Sequence, residues 1–255
     1  MKIASAAAVG KIALIILFGQ VALAGAADIK LLTGSGLKPV LEELGPEFER
    51  KTGQKLLIEY ASTFSSKRKI EAGEPFDVAI LGTPQVVDEL VKQGKLTVRT
   101  IIARSGIGVA VREGAPKPAI DSADAFKRAL LNAKSVAYNS DGATAKHMEH
   151  VFERLGIANE MKPKMKPQPG AERAIQSVVA GDAELGILVS SSILSTRGAQ
   201  LAGLLPRELQ EYVVYTAGVS SATKEPKGSK ELIDFLLSER ATPVMKANGL
   251  ERPVH

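Results

Sequence analysis

From Asp28 onward, apolar runs of strand type alternate with apolar residues at helical spacing almost to the end of the chain. This alternation limits the fold more than any other feature. Ile29-Lys30-Leu31-Leu32 reads as a strand, and Leu37, Val40, Leu41, Leu44 and Phe48 then recur at the period of an amphipathic helix. Lys55 to Tyr60 is a second strand, followed by a short basic helix through Ile70 that stops at Gly73. Phe76 to Leu81 is apolar apart from Asp77, which predicts a strand covered on both faces. Pro84 opens a helix carrying Val86, Val87, Leu90 and Val91.

A second series starts at Gly106. Ile107 to Val111 is a strand, Ser122 caps a helix bearing Phe126, Ala129 and Leu130, and Ser135 to Tyr138 is the next strand. A helix with Met148, Val151, Phe152 and Leu155 follows, and Met161 to Gly170, dominated by Lys and Pro, reads as an exposed connection. Ala174, Ile175, Val178 and Val179 mark another helix, ended by Gly181, and Leu185 to Val189 another strand. After a strand from Tyr212 to Val219, helices over 229–237 and 241–248 close the chain. Strands and helices in such alternation predict α/β architecture with largely parallel sheets.

The N-terminus reads differently. Lys2 and Lys11 flank a start without acidic residues, Ile12 to Phe18 is apolar, and Ala22-Leu23-Ala24 and Ala24-Gly25-Ala26 are candidate cleavage sites. This is the pattern of a cleavable secretory leader over residues 1–27, too short in its apolar part to span a bilayer. Without the two lysines of that leader the formal charge falls from +5 to +3, too little to argue for nucleic acid. The absence of cysteine excludes disulfides, thiolate metal sites, Cys nucleophiles and a lipoprotein anchor. A free periplasmic protein is expected, with a length suited to two lobes of about 100 residues each.

Three turns share one design, in which a strand runs through small hydroxyl or glycine residues into a helix start: Thr33–Gly36, Ser62–Ser66 and Ser140–Thr144. Unpaired N–H groups and the positive end of the macrodipole sit at such helix starts. Ser and Thr add donors that rotate, and Gly lets backbone approach. Each turn alone is an ordinary cap. Together, at the carboxyl ends of strands, they describe a cleft that binds an anion through neutral donors.

Catalytic patterns are missing. His147 and His150 lie three apart on a predicted helix beside Glu149 and Glu153, but no further ligand at helical spacing completes a metal site, and His255 is the last residue. There is no nucleophile elbow, Walker A loop or dinucleotide fingerprint. The expectation is a binding protein and not an enzyme, with no catalytic residue, cofactor or metal.

Thr33-Gly34-Ser35-Gly36-Leu37, the stretch Ile70-Glu71-Ala72-Gly73-Glu74-Pro75-Phe76-Asp77-Val78, Leu185-Gly186-Ile187 and the closing segments 233–237 and 248–250 resemble the periplasmic molybdate-binding proteins of ABC transporters. The resemblance runs over nearly all of the chain after the leader. It implies a two-lobed type II periplasmic binding protein, each lobe a mostly parallel sheet flanked by helices, with the ligand cleft between the lobes. Lobe one is then 28–104 plus 214–255, and lobe two is 105–213. It further implies a monomer that hinges shut on a small anionic ligand and delivers it to a membrane permease.

Carried over position by position, the family's hydroxyl and backbone donors fall at Gly36 with Ser35 beside it, at Thr63 with Ser62 beside it, and at Thr144 and Ala171. The family's tyrosine falls at Val189. Gly36 and Val189 each lack the family's hydroxyl, and Arg104, near the first expected crossover, offers a bidentate partner suited to a carboxylate. The altered site favours a small organic carboxylate over molybdate. A genuine molybdate or tungstate site, and a receptor presenting its ligand to a sensor, stay open.

Overall fold

Ile29–Thr33 (β1) feeds a single 3-10 turn, Ser35–Leu37, before the helix Lys38–Thr52 (α1) begins. The glycine-rich turn therefore does not run straight into the helix; one tighter turn intervenes. Pro39 lies in the first turn of α1, where its missing N–H has no intrahelical role, and Gly53 closes the helix in the left-handed region at φ 75°. The computed structural model describes residues 28–252. The expected leader and His255 lie outside the described residues.

Lobe one continues with Leu56–Tyr60 (β2), Thr63–Glu71 (α2), Val78–Leu81 (β3) and Pro84–Lys92 (α3). β1 pairs in parallel with β2 on one side and β3 on the other, and all four residues of β3 are buried. Asp77, the polar interruption before β3, is satisfied: one carboxylate oxygen accepts from Lys30 N at 2.8 Å and the other from the Thr223 hydroxyl at 2.5 Å.

Thr100–Arg112 (β4) is longer than the apolar pattern indicated, because it serves two sheets. Its first half pairs antiparallel with Tyr212–Val219 (β9), Arg104 opposite Val214. Its second half pairs with Leu185–Val189 (β7) and Ala199–Leu204 (β8). β9 in turn pairs with β3, so β4 and β9 are the two strands by which the lobes are joined.

Lobe two adds Ala123–Asn132 (α4), Val136–Asn139 (β5), Ala143–Leu155 (α5), Ala158–Met161 (α6), Met165–Gln168 (β6), Ala171–Ala180 (α7) and Ser190–Leu194 (α8). Pro226–Leu236 (α9) and Ala241–Ala247 (α10) return to lobe one. The sheet order is β2-β1-β3-β9-β4-β7-β5-β6, with β8 also on β4. The lysine- and proline-rich stretch expected to be a plain connection contains β6, paired in parallel with β5. Pro167 is tolerated because β6 ends the sheet order, and an edge strand has an unpaired N–H side to spare.

Each lobe has its own core. In lobe one Phe48 meets Phe235 with ring centroids 5.7 Å apart, among Ile29, Leu31, Leu44 and Ile80. In lobe two Phe126 and Leu130 pack with Val109, Met148 and Phe152. These cores fix the carboxyl ends of β1, β2, β5 and β7 around one space. No helix among the described residues is long and apolar enough to cross a membrane.

Candidate functional site

A cleft of about 640 Å³ opens between the lobes, lined by the turns that follow β1, β2 and β3 on one side and β5, β6 and β7 on the other. It is the crevice that open α/β sheets form at their carboxyl ends. Ser35, Gly36, Ser62, Thr63, Thr144, Ala171 and Val189 all line it. Arg104 does not. Its Nε and Nη2 hold Glu251 at 2.9 and 2.8 Å, and its guanidinium stacks 4.4 Å from the centroid of Tyr212. The ligand role expected of Arg104 is corrected accordingly: its planar charge is already used by a carboxylate and an aromatic face outside the cleft.

The turn residues are held in detail. Ser62 caps α2, accepting from Ser65 N at 3.2 Å, and its own hydroxyl donates across the cleft to Asp141 Oδ2 at 2.9 Å. The other Asp141 oxygen is buried without a partner. Thr63 Oγ1 accepts from Gly82 N at 3.0 Å, which leaves its hydroxyl proton for another acceptor. Asn139 Oδ1 accepts from Asp141 N and Gly170 N, tying the turn before α5 to the turn before α7. Neither α5 nor α7 has a side-chain cap, so their first N–H groups lack that satisfaction.

Residues that the sequence did not single out complete the lining. Lys38 and Arg173 reach the cleft without an ion pair among the described residues. Glu59 lines it too, but Lys69 pairs with Glu59 at 3.0 Å. Glu172 is a further acid on the rim, exposed on the first turn of α7. Leu188, Val189 and Val213 form an apolar wall.

Tyr215, on β9, bears directly on the expected loss of donors. A Cβ on Gly36 would overlap the Tyr215 hydroxyl and lie 2.9 Å from Ser191 Oγ. Gly36 is therefore glycine because a phenol from the lobe-joining strand occupies the space a side chain would take. The cleft has not simply lost a hydroxyl at position 36; Tyr215 brings another from a different strand. Burial pushes the Tyr215 phenol up to about 12, with Ser191 acting weakly the other way, so the hydroxyl stays a donor at neutral pH. The Ser191 hydroxyl sits beside the phenol. Tyr60, also on the cleft, is raised to about 12 by burial and then by Glu42.

His147 is structural. His147 Nε2 lies 2.8 Å from Leu209 O and its Nδ1 2.6 Å from Glu211, which pins α5 to the segment before β9. No group of three potential metal ligands occurs among the described residues.

Residues 29–251 match the model of the bacterial extracellular solute-binding proteins. The chain belongs to that family. Among solute-binding relatives, the molybdate-binding protein ModA of Azotobacter vinelandii is 26% identical over 237 residues, 89% of this chain and 90% of that one. The solved structure of the Azotobacter vinelandii periplasmic molybdate-binding protein superimposes with a TM-score of 0.76 at 19% identity, covering 89% of this chain and 100% of that one. The two-lobed fold is thus shared. Another relative, from Pseudomonas sp, is named aconitate isomerase and is 30% identical over 231 residues, 88% of this chain and 87% of that protein. This overturns the expectation that the chain is no enzyme. The absence of familiar catalytic motifs was a weak ground, since a carboxylate and several hydroxyls suffice for proton transfer.

Proposed function

We propose that this solute-binding protein captures a small organic polycarboxylate in the interlobe cleft and, as a periplasmic monomer, delivers it to an ABC-type permease. The observation that carries the reading is the make-up of the cleft wall. A tetrahedral oxyanion presents oxygen in every direction, and facing Leu188, Val189 and Val213 it would leave oxygens unsatisfied. A polycarboxylate has a carbon skeleton for that wall and separate charged ends for the donors. The volume of about 640 Å³ lies in the range of organic ligand sites. Arg173 takes over the bidentate role first expected of Arg104, with Lys38 as a second cation. Thr63 from lobe one and Thr144 from lobe two reach the same ligand, so that binding favours closure.

Isothermal titration with cis-aconitate, trans-aconitate, citrate, molybdate and tungstate tests this. Micromolar or tighter binding of a polycarboxylate with weak or no molybdate response is expected. Molybdate binding without any carboxylate response would overturn it.

A second reading is favoured by the relative named aconitate isomerase. The cleft then also moves a proton within the bound ligand. Asp141 is the carboxylate positioned for this, one oxygen held by Ser62 and the other without a partner. It would take a proton from the ligand's methylene carbon, the double bond would shift by one position, and the proton would return to the former alkene carbon. Nothing is oxidised or reduced. Proton NMR of the protein with trans-aconitate would show the cis isomer appearing, and Asp141→Asn should abolish this while retaining binding. No conversion by the wild-type protein would dismiss this second reading and leave capture standing.

A further inference from the structure

We propose that the hydroxyls of Tyr215 and Ser191, which meet over Gly36, together with that of Ser192 in the cleft wall, form the subsite for one carboxylate of the ligand, with Tyr215 as its specificity-determining donor. The inference rests on the polycarboxylate reading and deepens it. Three independent features place the subsite. The Tyr215 hydroxyl and Ser191 Oγ converge on the one face of Gly36 that a side chain would occupy, and Gly36 and Tyr215 both line the cleft. Ser191 and Ser192 are 0% and 4% exposed; the Ser191 hydroxyl sits beside the Tyr215 phenol, and the Ser192 hydroxyl is buried without a partner. Ser192 itself lines the cleft. A buried hydroxyl without a partner is unfavourable in a native structure, and one that lines a cavity beside two further hydroxyls marks a site whose acceptor arrives with the ligand.

The chemistry of the cluster suits a carboxylate, and the apolar wall beside it argues for one carried on a carbon skeleton. All three donors are neutral, each supplies one proton, and none can neutralise a concentrated charge. A carboxylate spreads one charge over two oxygens and matches such a set. Tyr215 also imposes a steric exclusion. A side chain at position 36 and the phenol in its present place cannot coexist, so the donor comes from β9 and stands next to the apolar residues Val189 and Val213. A ligand that uses it needs a polar end beside a carbon chain.

The test is calorimetry on the full-length mature protein and the variants Tyr215→Phe, Ser192→Ala and Gly36→Ala, with thermal unfolding of each without ligand. The probes are trans-aconitate and citrate, each paired with an analogue in which one carboxylate is an uncharged amide. Tyr215→Phe keeps the ring and should weaken polycarboxylate binding by about 10- to 150-fold, the range for a hydrogen bond to a charged group. For the analogue lacking the contacted carboxylate the loss should shrink toward onefold, the signature of a direct pairing. Gly36→Ala leaves the tyrosine in the sequence but displaces its hydroxyl, and should reproduce the effect. If Tyr215→Phe fails to fold, Gly36→Ala and Ser192→Ala carry the decision. Folded variants that bind as tightly as wild type overturn the subsite while leaving the ligand class intact. A wild-type protein that binds no polycarboxylate removes the ligand reading and the subsite together.

Discussion

Removing the Asp141 carboxylate with Asp141→Ala should open the cleft without weakening either lobe. Ser62 Oγ donates to Asp141 Oδ2 at 2.9 Å, and the two residues belong to opposite lobes. A hydrogen bond to a charged group contributes about 1.5–3 kcal/mol. Asp141 is half-buried, so solvent screening places the value near 1 kcal/mol, about a fivefold shift toward the open form. Ser62→Ala removes the same link and also the cap on Ser65 N, which contributes about 1 kcal/mol to the stability of α2. For a chain of this size 1 kcal/mol lowers the unfolding midpoint by roughly 2–4 °C. Ser62→Ala should thus lower the midpoint, whereas Asp141→Ala should leave it nearly unchanged. Both should raise the ligand-free radius of gyration in small-angle scattering. A radius unchanged in both variants, or an Asp141→Ala midpoint that falls as far as that of Ser62→Ala, would refute the interlobe role.

Arg173→Ala should weaken polycarboxylate binding by about tenfold, and Arg104→Ala should leave it within twofold, as measured by calorimetry; the opposite order would restore Arg104 to the site. Stability should also fall in alkali. Tyr215 ionises near 12 in the folded protein and near 10 when unfolded, so its contribution is fully present below pH 10 and is lost as pH rises through about 12. The difference is ~2–3 kcal/mol. Urea unfolding between pH 9 and 11.5 should show a steeper loss for wild type than for Tyr215→Phe, and equal slopes would contradict the burial of the phenol.

Much of the molecule was legible because burial and period coincide. Phe76 to Leu81 reads as a covered strand, and β3 is buried at all four positions between β1 and β9. Ser122 and Gly181 mark helix ends that the structure reproduces. What failed depends on partners far away in sequence. Arg104, near the expected crossover, reads as a partner for a ligand carboxylate; Glu251, the carboxylate it holds, is 147 residues on. β6 was hidden by composition, since an edge strand tolerates the Pro167 and lysines that elsewhere signal a loop. Arg173 carries no local signal that separates it from a solvated first-turn residue of α7.

Gly36 illustrates why a site cannot be read by correspondence alone. The sequence records the absence of a side chain at that position, and absence suggests a lost donor. The structure shows the reason for the absence, a phenol from a strand nearly 180 residues later. Tyr215 shares its face of β9 with Val213, Ala217 and Val219, all core residues, so periodicity assigns it to packing. It is in the core, yet its hydroxyl reaches the cleft floor. This location has a mechanical consequence. β9 pairs with β3 inside lobe one and with β4 along the ladder that continues into lobe two, and Tyr215 lies opposite Ala103 in that ladder. A ligand held by Tyr215 would contact the lobe-joining strand itself, in a cleft that Thr63 and Thr144 line from the two lobes. Closure would then change the geometry of three sets of donors at once, and a ligand would gain its full set of hydrogen bonds in only one relative orientation of the lobes.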